Sequence, residues 1–285
     1  MRMDTDAMNP QPKVPLAPTV SAPSDAVALC SRAAEGELRL ADGTMQPVIW
    51  QLPEEVPVAL QINSAPYTVM MATPANLRDF AVGFLLAEGL IASAADIQGV
   101  LVMPVDGGLT VDVAISDTLI DTSRLVRRSV EGRTGCGLCG VEDIESAVRP
   151  LSALQRTSAP STVAILKAAK ALPASQPMNR FNRTVHGAAW VSNDGDILLV
   201  REDVGRHTAL DKLIGALALA QTGVSSGFVM MTSRCSFELV QKSVTAGIGA
   251  LVTVSAPTVL ARDLAQSSNL FLAALGPGGV AVFNP

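Results

Sequence analysis

The sequence predicts an α/β chain, α+β overall, in which a smaller β-rich part precedes a larger sheet covered by helices on both faces. Three observations carry this. Hairpin signals cluster between residues 56 and 115 around a single helical stretch. From about residue 162, short apolar runs alternate with stretches of helical period. Apolar residues make up 48% of the 285 and charged residues 16%, which supplies a large core and excludes a mostly disordered chain.

Residues 1–35 are read as a disordered lead-in, because Pro10, Pro12, Pro15, Pro18 and Pro23 interrupt it and no apolar run suggests an export signal. Residues 36–135 form the small α+β domain. Strands at 56–60 and 67–71 flank a turn at Asn63-Ser64-Ala65-Pro66. Asn76 is the expected N-cap of a helix through Leu77, Phe80, Ala81, Phe84, Leu85 and Glu88, with Gly89 near its end. Strands at 100–105 and 109–115 meet at Asp106-Gly107-Gly108, a strong hairpin signal.

Residues 136–150 hold a Cys-x-x-Cys loop and a following helix, with Val141, Ile144, Val148 and Leu151 at helical spacing. Residues 151–285 are the α/β domain. A helix at 162–172 leads to strands at 187–191 and 197–200, joined through Asn193-Asp194-Gly195-Asp196. Leu210, Leu213, Ile214 and Leu217 then mark one face of a helix. Strands at 228–231, 250–254 and 270–274 alternate with helices at 237–246 and from Pro257 to about residue 267.

The net charge of −5 and the low aromatic content of 4% argue against a nucleic-acid partner, which would need a basic surface or stacking platforms. No stretch reaches the ~18 apolar residues of a membrane span, so a cytoplasmic, membrane-free protein is expected. Four cysteines, Cys30, Cys136, Cys139 and Cys235, are too few for a disulfide framework in a chain this long.

Two of them form Gly135-Cys136-Gly137-Leu138-Cys139-Gly140. Glycines around both thiols suit a mobile or tightly turned loop. Amides at the start of the helix that follows, together with Arg133, favour a thiolate, while Glu142, Asp143 and Glu145 oppose it. Three chemistries fit: half of a structural zinc site, a dithiol–disulfide redox pair, and a nucleophilic thiol that carries sulfur as a persulfide. Spacing alone does not separate the last two. Cys235 reads as a small buried residue.

Polar residues also gather at strand ends. Arg201-Glu202-Asp203-Val204-Gly205-Arg206-His207-Thr208 follows one strand and precedes a helix, the position of the ligand crevice in open α/β sheets. Asp203 and Asp211 are candidates for a base or ribose, and Arg201 and Arg206 for phosphates. Arg234 and the helix start after Ser236 are a second phosphate candidate. The alternative is a solvated loop with structural ion pairs. His186 stands before another strand, where a structural role is the simpler reading. The zinc-deaminase signature, H-x-E then P-C-x-x-C, is not met, since Gly187-Ala188 follows His186 and the Cys-x-x-Cys lies upstream.

Several stretches together resemble the FdhD/NarQ family of formate dehydrogenase accessory sulfurtransferases: VPVALQINSAPYTVMMATPANLRDFAVGFLLAEGLI, TGCGLCG, REDVGRHTALDKLIG, SFELVQKSVTAGI and VSAPTVLARDLA. The resemblance implies a cytidine-deaminase-like three-layer C-terminal core with no structural metal. It implies a persulfide on Cys136, assisted by Cys139, with sulfur taken from a cysteine desulfurase. Delivery would be to the Mo-bis(molybdopterin guanine dinucleotide) cofactor of a formate dehydrogenase, with GDP as a mimic of the cofactor's ends and a homodimer as the assembly. The associated cofactor-binding segment falls on Leu275-Gly276-Pro277-Gly278-Gly279, with Arg201, Asp203, Arg206, His207 and Arg234 as further crevice candidates. A non-catalytic cofactor-binding chaperone is the competing class. Two departures bear on cofactor contacts: Val280 follows Gly279 where a basic residue is usual, and the family's T-G-G-V-H pattern appears as Asn182-Arg183-Thr184-Val185-His186, with Arg183 and Thr184 in place of two glycines.

Overall fold

Alternation of small and large apolar residues builds the central sheet. The computed structural model describes residues 30–122 and 151–285. The lead-in up to residue 29, Cys136, Cys139 and the helical stretch expected from Val141 lie outside the described residues. β7 (His186–Val191), β8 (Ile197–Asp203), β9 (Phe228–Met231), β10 (Ala250–Thr253), β11 (Phe271–Gly276) and β12 (Gly279–Asn284) form one six-stranded sheet in the order β12-β11-β10-β9-β7-β8. β9, β10 and β11 run parallel, while β7 opposes β8 and β9, and β12 opposes β11.

Period-two patterning gives this sheet two buried faces. Ala188, Trp190, Val229, Met231, Leu251 and Leu272 pack beneath α4 (Arg206–Leu219), α5 (Phe237–Thr245) and α6 (Val259–Ser267). The residues between them, such as Ala189, Val191, Phe228, Met230 and Val252, pack against Ala164, Ile165 and Ala168 of α2 (Thr162–Ala171). Helix, sheet and helix make the three layers expected from sequence.

The smaller unit is a four-stranded sheet, β4-β3-β6-β5, of β3 (Val56–Ile62), β4 (Ala65–Ala72), β5 (Ile97–Val105) and β6 (Gly108–Ile115). Its hairpins turn where the sequence indicated, with positive φ at Asn63, Ser64 and Gly107. α1 (Leu77–Ala87) lies between this sheet and α4, and is buried almost all round. Glycines let α1 and α4 touch backbone to backbone. A Cβ on Gly83 would collide with the Asp211 carbonyl oxygen, and one on Gly215 with that of Asp79.

Three expectations are corrected, and two elements were not expected. Asn76 occupies the N-cap position but in a left-handed conformation (φ 53°) with no side-chain cap; the helix begins on its backbone carbonyl, which accepts from Phe80 N–H at 2.9 Å. The strand expected to end at residue 200 runs to Asp203, because Arg201, Glu202 and Asp203 pair with Ala188, Gly187 and His186. Residues 31–35, assigned to the lead-in, belong to β1 (Ser31–Arg39), which pairs with β2 (Met45–Pro53) in a separate ribbon. β12 and the short α3 (Pro177–Asn182) carried no sequence reading.

Candidate functional site

One edge of the six-stranded sheet collects the chain's polar loops. β9, β10 and β11 end there, as does β8, while β7 begins there with His186 opposite Asp203. The edge therefore carries the β8–α4 turn, the β9–α5 loop around Arg234, the β10–α6 loop and the β11–β12 turn. Four inter-strand steps separate the ends of β8 and β11, about 19 Å at ~4.8 Å per step. All three crossover helices point their N-termini at this edge. Leu275 and Gly276 end β11, Pro277-Gly278 form the exposed turn, and Gly279 starts β12. Gly278 has φ 74°, which a side chain would strain.

The charged motif divides into structural and free groups. Lys212 Nζ is buried 2.6 Å from Asp203 Oδ2 and donates to the Thr73 carbonyl at 2.9 Å. Asp203 also accepts from Gly205 N–H on Oδ1 (2.8 Å) and from Thr73 N–H on Oδ2 (2.9 Å), while Val204 N–H donates to Thr73 Oγ1 at 3.1 Å. Burial pushes the Asp203 carboxyl up, and Lys212 with these amides pulls it back part of the way. Arg201 Nε meets Asp79 Oδ2 at 2.7 Å. Glu202 accepts from Met178 N–H and Asn179 N–H at the start of α3. Lys242 Nζ, buried, lies 2.9 Å from Asp211 Oδ1, 3.1 Å from Glu88 Oε1 and 4.9 Å from the centre of the Phe84 ring.

The structure thus commits Asp203 and Asp211 to buried lysines and Arg201 to Asp79, rather than holding them out towards a ligand. The physical reason is the seam between α1 and α4. Desolvated charges there survive only as hydrogen-bonded pairs. Sequence reasoning missed Thr73, Asp79, Lys212 and Lys242 as partners, because each lies on a different element from the group it holds or nine residues along the same motif.

Arg206 and Arg234 behave differently. Neither has a carboxylate partner among the described residues, whereas Arg32, Arg39, Arg201 and Arg262 do. Arg206 opens α4 after Gly205, which supplies no side-chain cap, and its Nε is buried without a hydrogen-bond partner. Thr208 Oγ1 in the same turn is also buried and unpartnered. Arg234 is exposed in the β9–α5 loop. Both act on His186: burial, then Arg206, then Arg234 hold its imidazole below the usual range. His207 is buried, and its Nε2 lies 3.3 Å from Ser236 Oγ and 3.8 Å from Glu238 Oε2. Ser236 stands at the N-cap of α5 but makes no cap bond.

The described thiols are both buried. Burial, reinforced by Glu238, pushes Cys235 up to about 12. Burial also raises Cys30, with Lys212 opposing. Neither is equipped to be a nucleophile.

A model of the FdhD/NarQ family matches residues 53–281. The chain belongs to the FdhD/NarQ family. Among its relatives, the Sulfur carrier protein FdhD of Bordetella petrii is 44% identical over 77% of this chain and 79% of its own. That of Cupriavidus necator is 41% identical over 91% and 88%. That of Agrobacterium fabrum is 45% identical over 84% and 89%. A crystal structure from Desulfotalea psychrophila, described as a formate dehydrogenase accessory protein, aligns with a TM-score of 0.70 and 25% identity over 90% of this chain and 98% of that one. This FdhD/NarQ chain therefore shares the two-unit α+β fold of its family. No helix among the described residues is long and apolar enough to cross a membrane.

Proposed function

We propose that this chain is a sulfur carrier serving a formate dehydrogenase. The Cys136 thiolate attacks the outer sulfur of a persulfide on a cysteine desulfurase. A new S–S bond forms on Cys136, the old one breaks, and the donor cysteine leaves as a thiolate. The carried sulfur then goes to the molybdenum of Mo-bis(molybdopterin guanine dinucleotide), which is substrate rather than resident cofactor. Cys139 is the neighbouring thiol that assists transfer: its thiolate attacks the Cys136 sulfur, the persulfide S–S bond breaks, the outer sulfur leaves as sulfide for the molybdenum, and the Cys136–Cys139 disulfide left behind is reduced by an external dithiol before the next cycle. The guanine nucleotide ends of that substrate rest along the strand-end edge, on Arg206, Arg234, the free first turn of α4 and the Leu275–Gly279 turn. The chain works as a homodimer in the cytoplasm.

Family membership, with relatives named as sulfur carriers, is the observation that carries this reading. The chemistry of the thiols supports it: Cys30 and Cys235 are buried and resist ionisation, which leaves the Cys136/Cys139 pair for sulfur. The ~19 Å polar edge suits an extended dinucleotide-type substrate. Mass spectrometry after incubation with a cysteine desulfurase and cysteine provides the test. One sulfur atom added at Cys136 is expected. Stoichiometric zinc with unreactive thiols would mean a cofactor-binding chaperone instead.

A further inference from the structure

His186 is a titratable group at the strand-end edge to which the proposed transfer gives no role. Its position is fixed by backbone bonds on both sides. It pairs in register with Asp203, and the next residue, Gly187, donates to Thr232 Oγ1 at 2.8 Å and accepts from Thr232 N–H at 3.0 Å. His186 therefore opens its strand between the end of β8 and the end of β9, whose following loops carry Arg206 and Arg234, and both arginines act on its imidazole. Two guanidinium groups without a carboxylate partner, both acting on a third basic group, form a site with excess positive charge. The unpartnered Arg206 Nε and the unpartnered, 1% exposed Thr208 Oγ1 are donors awaiting an acceptor. The first turn of α4 adds backbone amides aimed the same way.

The other charged groups around His186 do not neutralise this site. On β8, Asp203 is its register partner, but the carboxylate is held by Lys212. On α4, His207 turns its Nε2 to Ser236. On α5, Glu238 lies 3.8 Å from His207 with its buried Oε2 making no hydrogen bond, and it is not among the charges that act on His186. On the segment before β7, Arg183 is exposed and adds only positive charge. A third proton-bearing cation is unfavourable there until an anion enters.

We infer that His186, Arg206 and Arg234 form a phosphate seat that takes up one proton as it fills. The imidazole is neutral in the empty site. A terminal phosphate dianion offsets the two arginines, and the imidazole becomes the third cation on it. This deepens the proposed nucleotide crevice and rests on that reading. It also sets a direction. The seat holds phosphate ends more tightly as pH falls towards the histidine range, and releases them as pH rises.

The chain contains two histidines, His186 and His207, so imidazole NMR reports on both. GDP is titrated into the full-length protein in buffers of different ionisation enthalpy, and imidazole nitrogen signals are followed in parallel. Uptake of close to one proton per GDP is expected, with the His186 signal moving to the imidazolium position. Between about pH 7 and pH 8 the affinity should weaken by up to ~tenfold. In His186→Gln that dependence should vanish while measurable binding remains. GDP binding without proton uptake, or a pH dependence that persists in His186→Gln, overturns the proton-coupled seat alone. Absence of GDP binding at every pH removes the nucleotide crevice itself, and the seat with it.

Discussion

Lys212 Nζ and Asp203 Oδ2 face each other at 2.6 Å with no solvent access to either side chain. The pair also fixes Gly205 through Asp203 Oδ1 and the β4–α1 junction through Thr73. Lys212→Met leaves a buried carboxylate without its cation. The expected cost is ~3–5 kcal/mol, read as a fall in urea midpoint. Lys212→Met/Asp203→Asn should recover part of that loss. Equal stability of wild type and Lys212→Met would show that the pair contributes nothing to the fold.

Lys242 gives the molecule an alkaline limit. Burial pulls its ammonium down, but Asp211 and Glu88 outweigh burial, and the group ends above the ordinary lysine range. A folded value above the unfolded one means that the charged form favours folding. That stabilisation is complete below about pH 10 and disappears as pH rises through the folded value. Urea midpoints should therefore fall steeply above about pH 10 in wild type, and less steeply in Lys242→Met. Parallel curves would assign the alkaline loss to other groups.

The two arginines of the charged motif should separate cleanly. Arg206→Ala removes a free cation from the strand-end edge and should weaken GDP binding by about 10–100-fold with little loss of stability. Arg201→Ala breaks the contact with Asp79 and should lower stability while GDP affinity stays near wild type. A reversal of this pattern in calorimetry would return Arg201 to the crevice and remove Arg206 from it.

Native alkylation sorts the thiols. At neutral pH, iodoacetamide should modify Cys136 and Cys139 and spare Cys30 and Cys235, because burial holds both of the latter in the protonated form. In urea all four should react. Rapid native labelling of Cys235 would mean that α5 opens far more readily than its packing indicates.

Gly83→Ala and Gly215→Ala test the contact between α1 and α4. Each inserts a methyl group into the facing helix's backbone. A loss of ~1–3 kcal/mol or more is expected from the forced separation, visible as a lower Tm. An unchanged Tm in either variant would mean that the helices can part without cost.

Much of this arrangement was readable from the residues. Strong local signals located the hairpins at Asn63-Ser64 and Asp106-Gly107, and β9 matched residue for residue. Period and alternation revealed the three layers. What stayed hidden depended on partners distant in sequence. Nothing local distinguishes Arg206, which is free, from Arg201, which is held by a carboxylate 122 residues away. β1 was missed because Ser-Arg-Ala-Ala-Glu-Gly lacks β-branched residues, and it becomes a strand only by pairing with β2. Asn76 has the side chain of a cap but is used for its tolerance of positive φ.

The seam between α1 and α4 has an evolutionary consequence. Arg201, Lys212 and Lys242 each end on a group supplied by residues 73–88: Asp79, the Thr73 carbonyl and Glu88. Recombination that swapped in a foreign front half would strand Arg201 and strip one partner each from Lys212 and Lys242, which would keep only Asp203 and Asp211, so the two halves are under pressure to be inherited as a single block.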